Sequence, residues 1–195
     1  MSSPSLVGGV DDGFFEKGWR STVLALALME WRGGVLCPRG ARLGRVSVDG
    51  LDATSVLSRL VGGVEGLRLV LLDNVVYAGF NLVEPWRVFE ETGVPVVVVL
   101  RYPPRRGMVE SALRRHFRDW ELRLGVLEKV WNSLRPAPCP RGGLLLAPYG
   151  LGWGEAVGEV CGLQVFTRVP EPLYMAHVVA SGVSRSLGPE FFGLK

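Results

Sequence analysis

The chain is predicted to fold as an α/β protein, a mixed sheet with helices on its faces. Three observations point there. Three strand-like stretches follow one another within the first 49 residues, joined by short connections. From residue 53 onward helical and strand signals alternate, which calls for helices laid over a sheet. VPVVVVL at 94–100 is dense in β-branched residues, as a central strand should be. At 195 residues, one domain spanning 1–195 with a sizeable core is expected.

The first strand is read from Leu6 to Asp11, closed by a turn at Asp12–Gly13. STVLALALMEW at 21–31 is the second, followed by the turn signal Arg32–Gly33–Gly34. The third ends at Asp49, after a Gly- and Arg-containing link through 38–44, and the three should form an antiparallel meander. In 53–62, Val56, Leu57, Leu60 and Val61 recur at helical spacing, with Asp52 or Thr54 placed to cap the helix. LRLVLLD at 67–73 is a near-continuous apolar run, as a strand buried on both faces requires. Helices are expected at 84–92, 108–116, 119–134, 153–161 and 171–187, the last opened by Pro170 and Pro172. A short strand is expected at 142–148, and Arg135-Pro136-Ala137-Pro138 should close the helix before it. The order is thus β-β-β-α-β-α-β, then mostly helix.

Hydrophobic residues make up 48% of the chain, and no polar low-complexity tract interrupts it, so disorder is excluded. No apolar run reaches the roughly 18–20 residues of a membrane span. The N-terminal MSSPSLVGGVDDG lacks the basic and apolar regions of a signal peptide, and a cytoplasmic location is expected. Net charge is +3, and 19 of the 22 basic residues are arginines, a bias that genome composition explains more readily than function. RYPPRR at 101–106 and RRHFR at 114–118 could steer an anionic polymer or form a solvated face. Cys37, Cys139 and Cys161 are odd in number and scattered, which argues against a zinc site and against a disulfide framework.

The aspartates carry the chemical signal. Five of six lie in three places, each after an apolar run: Asp11 and Asp12, Asp49 and Asp52, and Asp73. A carboxylate at a buried strand end is costly to desolvate without a partner. Three such strands side by side would crowd their carboxylates at one sheet edge, where a hard cation, Mg²⁺ or Mn²⁺, would relieve the repulsion. Metal-assisted phosphoryl chemistry follows as the expectation. Neighbouring strand residues face opposite ways, so Asp11 is expected to face the metal and Asp12 to cap the following turn.

The element order and the segments GGVDDGFF, VDGLDAT, LLDNVVYAGFN, TGVPVVVVLR and VPEPLYMAHVVAS resemble the ribonuclease H-like fold and, within it, the endonuclease V-like superfamily. The similarity runs from Gly8 to about Ser181. It is greatest to an archaeal branch, formerly a domain of unknown function, some members of which are described as deoxyuridine-specific DNA endonucleases. The resemblance implies that Asp11 and Asp73 hold a catalytic Mg²⁺ or Mn²⁺. It also implies a third acid after the third strand, for which Asp49 and Asp52 are the two possibilities, Asp52 lying closer to the expected place. Arg101 takes the place of a basic residue ending the fifth strand, and His177 that of a histidine near the site. Two departures stand out. Tyr174 occupies the position of a usual arginine, and no counterpart of the Pro-Tyr-Ile-Pro wedge is found.

The implied activity is metal-dependent endonucleolytic cleavage of a phosphodiester near a deaminated base, deoxyuridine or hypoxanthine, as in DNA repair. The expected partner is nucleic acid, with no membrane. The alternative is a non-catalytic nucleic-acid-binding or regulatory protein that retains the fold.

Overall fold

The computed structural model describes residues 5–32 and 34–194, so Gly33 of the expected Arg32–Gly33–Gly34 turn lies outside the described residues. Strand β1 (Leu6–Asp12) is flanked on one side by β2 (Ser21–Arg32), antiparallel, and on the other by β4 (Leu67–Leu72), parallel. β3 (Val35–Ser47) pairs antiparallel with β2 and forms one edge. Beyond β4 lies β7 (Val96–Leu100), also parallel, then β9 (Leu144–Tyr149) and β8 (Arg135–Ala137), both antiparallel. The seven-stranded sheet therefore runs β3-β2-β1-β4-β7-β9-β8. A two-stranded hairpin, β5 (Val76–Tyr77) with β6 (Asn81–Leu82), stands apart from it.

Alternation along the strands sorts side chains into two layers. Val10, Val70, Leu72, Val96 and Val98 face a core that contains residues of α1 (Ala53–Val61), α2 (Pro85–Thr92), α3 (Arg106–His116) and α4 (Trp120–Ser133). Val7, Leu69, Leu71, Val97 and Val99 face the opposite layer, built on α5 (Trp153–Gly162) and the start of α6 (Glu171–Phe192). Each fully buried Val or Leu contributes roughly 1.5–3 kcal/mol, and β1, β4 and β7 present such residues to both faces. α6 lies directly on β1. A Cβ added at Gly9 would fall 2.0 Å from the carbonyl oxygen of Pro172, so only glycine lets the helix seat there. No helix among the described residues is long and apolar enough to cross a membrane.

Several elements differ from expectation. Residues 38–44 are not a link but the middle of β3, which pairs along the whole length of β2. Being an edge strand with few buried residues, it shows no apolar alternation. Pro38 is accommodated where pairing slips from Leu28↔Gly40 to Met29↔Pro38, a bulge on an edge strand. Arg135–Ala137, expected to close a helix, forms β8. α6 runs past residue 187 to Phe192, with a kink at Gly188 and Pro189. The disulfide Cys139–Cys161 ties the segment after β8 to the last turn of α5, although the number and scatter of the cysteines argued against a disulfide framework, and Cys37 is free. Its partners stand 22 residues apart, a spacing without any motif.

Candidate functional site

β1, β4 and β7 are adjacent and parallel, so their carboxyl ends open on one side of the sheet, where α/β proteins commonly bind ligands. Asp11 stands at the end of β1, Asp73 directly after β4 and Arg101 directly after β7. All three share the face of Val7, Leu71 and Val99. α6 covers that face and adds Tyr174 and His177. Together Asp11, Asp73, Arg101, Tyr174 and His177 line one open cavity of about 280 Å³, with apolar walls from Val99, Val169, Pro170 and Leu173.

Asp11 is buried. His177 Nδ1 stands 2.6 Å from its Oδ2, and the Asp12 amide donates to its Oδ1 at 2.9 Å. An ionised carboxylate only accepts, so Nδ1 carries the hydrogen and Nε2 is left toward solvent on a ring that is 65% exposed. Burial raises the Asp11 pKa, opposed by the hydrogen bonds from His177 and Asp12. Asp73 is pushed up to about 7, by desolvation first and then by the charges of Asp11 and Asp12, while Arg101 and His177 pull the other way. Asp73 reaches solvent through the cavity mouth, so water offsets part of that desolvation.

Asp12 points to the other face, as alternation requires. It does not cap the turn after β1. Its Oδ2 instead accepts the Ala78 amide at 2.5 Å, holding a residue with φ of 44° in the left-handed region. Burial lifts its pKa to about 6, with the Ala78 hydrogen bond opposing and the Asp11 charge adding to the rise.

Asp49 and Asp52 lie elsewhere and do not line the cavity. Asp52 Oδ2 accepts the Ser47 hydroxyl at 2.9 Å, and Oδ1 accepts the Asn81 amide group at 2.5 Å. Its side chain makes no helix cap; Asn81 Oδ1 accepts the Ala53 amide at 2.9 Å in that role. Asp49, with φ of 61°, accepts the Phe80 amide at 3.0 Å. Buried Arg123, from α4, completes this cluster. It donates to the carbonyls of Asp49, Gly50 and Phe80 and to the carboxylate of Asp119. Among the described residues, no group of three or more His, Cys, Asp and Glu side chains is arranged to hold a metal ion.

Sequence reasoning missed two contributors. Tyr77 is 1% exposed, and its hydroxyl has no hydrogen-bond partner of acceptable geometry. Desolvation and the charges of Asp73, Asp11 and Asp12 push its pKa well above the usual phenol value, against a small opposing effect of the Asn74 backbone. The phenol therefore sits among the three acids. Its only signal was membership of the DNVVYAGFN segment. Arg123 gave none, because an arginine in an amphipathic helix looks like any solvated charge.

Comparison with known proteins places the chain among relatives of similar length and the same fold. A UPF0215 protein of Pyrococcus horikoshii is 38% identical over 182 residues, 90% of each chain, and one of Aeropyrum pernix is 40% identical, covering 92% of this chain and 98% of that one. Among solved structures, a protein of unknown function from Archaeoglobus fulgidus superposes with a TM-score of 0.75 at 29% identity, covering 91% of this chain and 97% of that one. Human endonuclease V gives a TM-score of 0.61 at 16% identity, covering 94% and 86% of the two chains. Endonuclease V of Ciona intestinalis, solved with a DNA 23-mer containing an inosine, gives 0.59 at 13% identity, covering 95% and 87%. The last two likenesses show the ribonuclease H-like fold, as expected from the strand order. The Endonuclease dU family model matches residues 5–184, and the chain belongs to that family, an endonuclease V-like one with relatives in archaea.

Proposed function

We propose that the protein is a divalent-metal-dependent endonuclease that hydrolyses a nucleic-acid phosphodiester beside a deaminated base of the deoxyuridine or hypoxanthine type. The observation that carries this reading is the convergence of Asp11, Asp73, Arg101 and His177 on one cavity at the carboxyl ends of three parallel strands. The Ciona enzyme's complex with inosine-containing DNA supports nucleic acid as the ligand.

The residues fit Mg²⁺ or Mn²⁺. Two carboxylates share the cavity, and both have pKa values raised by burial, an unfavourable state that a cation relieves. Mg²⁺ is commonly held by one or two carboxylates, with waters and substrate phosphate completing its shell, so a third protein acid is not required. Asp11 and Asp73 would hold the ion. When bound, it would supply a water of lowered pKa and offset charge on the phosphate oxygens.

The other side chains have separable roles. The Arg101 guanidinium would pair with the phosphate as negative charge builds on its oxygens. His177, held by Asp11 through Nδ1, would in its imidazolium form present Nε2–H to the leaving oxygen and pass it that proton as the P–O bond breaks, leaving the neutral ring with its hydrogen on Nδ1. The test is incubation of Asp73→Asn with oligonucleotides containing deoxyuridine, hypoxanthine or a flap, in Mg²⁺. Cleavage at the wild-type rate would overturn the assignment.

A second reading, a non-catalytic nucleic-acid-binding protein retaining the fold, has one observation in its favour. Asp49 and Asp52, from which a third acid was expected, are committed to contacts with Phe80, Ser47 and Asn81. It requires salt-sensitive binding with no cleavage in any divalent ion.

A further inference from the structure

The three most exposed aromatic residues among the described residues are Phe166 at 79%, Tyr102 at 68% and Tyr174 at 56%. Tyr174 belongs to the cavity that holds Asp11 and Asp73, and the other two sit on segments tied to that cavity's lining. Tyr174 lines it directly, as does Arg101. Tyr102 follows Arg101 in the chain, and the Arg168 guanidinium lies over its ring at 5.1 Å from the centroid. Arg168 Nη2 in turn donates to the Arg101 carbonyl at 2.6 Å, and its Nε to the Gly143 carbonyl at 2.9 Å. Phe166 stands two residues before Arg168, and its amide is fixed by Glu171 Oε1 at 3.0 Å, at the first turn of α6. The Tyr102 and Phe166 segments are thus braced by hydrogen bonds, with Arg168 against the Tyr102 ring and Arg101 beside it in the chain.

Resting on the nuclease reading above, we propose that this rim is a stacking platform for an unpaired nucleic-acid strand. The strand crosses the cavity with bases on Tyr102, Phe166 and Tyr174 and phosphates against Arg101 and Arg168. Three rings turned to solvent around two arginines match the chemistry of single strands, in which exposed base faces alternate with phosphates. A duplex hides its base faces and offers only phosphates and groove edges, which would leave the rings without contacts. An acidic or apolar protein surface would satisfy one half of the patch and leave the other unmatched. Guanidinium groups also stack on bases, so Arg168 adds to the platform from beside Tyr102.

The test is fluorescence anisotropy of a labelled 20-mer lacking any lesion, as a single strand and annealed to its complement. EDTA is present, so that no cleavage occurs. The single strand is expected to bind at least about tenfold more tightly than the duplex. Tyr102→Ala and Phe166→Ala should each weaken single-strand binding by roughly fivefold to a hundredfold while leaving duplex binding unchanged. Tyr102→Trp should restore it. Circular dichroism melts would confirm that the variants fold. Equal affinity for the two forms, loss on Tyr102→Ala that is the same for both, or no binding to either would overturn the proposal. Efficient cleavage of a duplex by wild type, with Asp73→Asn inactive, would sink the platform and leave the nuclease intact.

Discussion

Two acidic clusters sit in one corner of this molecule and share the 78–81 loop, yet their chemistry is opposite. Asp49 and Asp52 are answered donor by donor, from the Phe80 amide, Ser47 and Asn81, with Arg123 gathering the surrounding carbonyls. Burial raises the pKa values of Asp11, Asp12 and Asp73, the Asp11 charge adds to the rise of the other two, and the phenol among them lacks a partner. The first cluster is complete as it stands. The second holds more negative charge than its own donors can balance, and unsatisfied charge in an open cavity is the mark of a site that expects a ligand. Residue type alone does not separate the two; the donor inventory does.

Substitution should divide the clusters sharply. The largest effect is expected for Asp73→Asn in cleavage, a loss of at least roughly 100-fold, since even an outer partner of a metal ligand costs 10–100-fold. Mn²⁺ should raise the melting temperature of wild type and not of this variant, because only the wild type gains binding energy in the folded state. Retained metal stabilisation in Asp73→Asn would erase the distinction between the clusters.

Gly9→Ala should come next, lowering both stability and activity. Its Cβ would collide with the Pro172 carbonyl and lift α6, and with it His177, from β1. A variant with normal melting and normal cleavage would show that α6 can shift without consequence. Asp52→Ala should act on stability alone. Leaving the donors of Ser47 and Asn81 unpaired costs roughly 1–3 kcal/mol each, which together is on the order of 4–24 °C in thermal unfolding for a chain of this size. Cleavage below the transition should stay within a few-fold of wild type. A collapse of activity without a melting change would return Asp52 to the site as the third acid.

The smallest effect is in the pH dependence of stability. The folded pKa of Asp73 lies above its unfolded value of about 3.8. Between about pH 4 and 7 the folded state therefore binds more protons than the unfolded one, and in EDTA stability falls as pH rises through that window. Asp73→Asn should flatten the fall in melting temperature across it. Identical curves for the two proteins would mean that the carboxylate is not crowded.

The parts of the fold that the sequence disclosed are those where one physical effect dominates. Apolar runs at β1, β4 and β7 admitted no reading but buried strands, and from them came the placement of Asp11 and Asp73, whereas Arg101 entered through the family resemblance. β3 stayed hidden because an edge strand facing water has no apolar face to display. Asp52 was misjudged because an acid next to a helix start looks the same whether its oxygens face a cavity or an asparagine 29 residues away. The Cys139–Cys161 bond and the Arg123 clamp depend on which loops meet, and local pattern carries no record of that. The role of Tyr77 needs knowledge of three partners at once.

The pair Asp11–Asp12 has one more consequence, for how this chain can change over time. Their opposite facing depends on β1 holding its register beside β4, with Val10 opposite Leu72. A single-residue insertion or deletion within β1 would exchange the two, sending Asp11 toward the apolar layer and Asp12 into the cavity. β1 should therefore vary by substitution and almost never by length. The connection between β2 and β3, at the far end of the long hairpin, is free to grow or shrink without disturbing either carboxylate. Length variation across homologues, read position by position, would trace the boundary between the part of the sheet that counts residues and the part that does not.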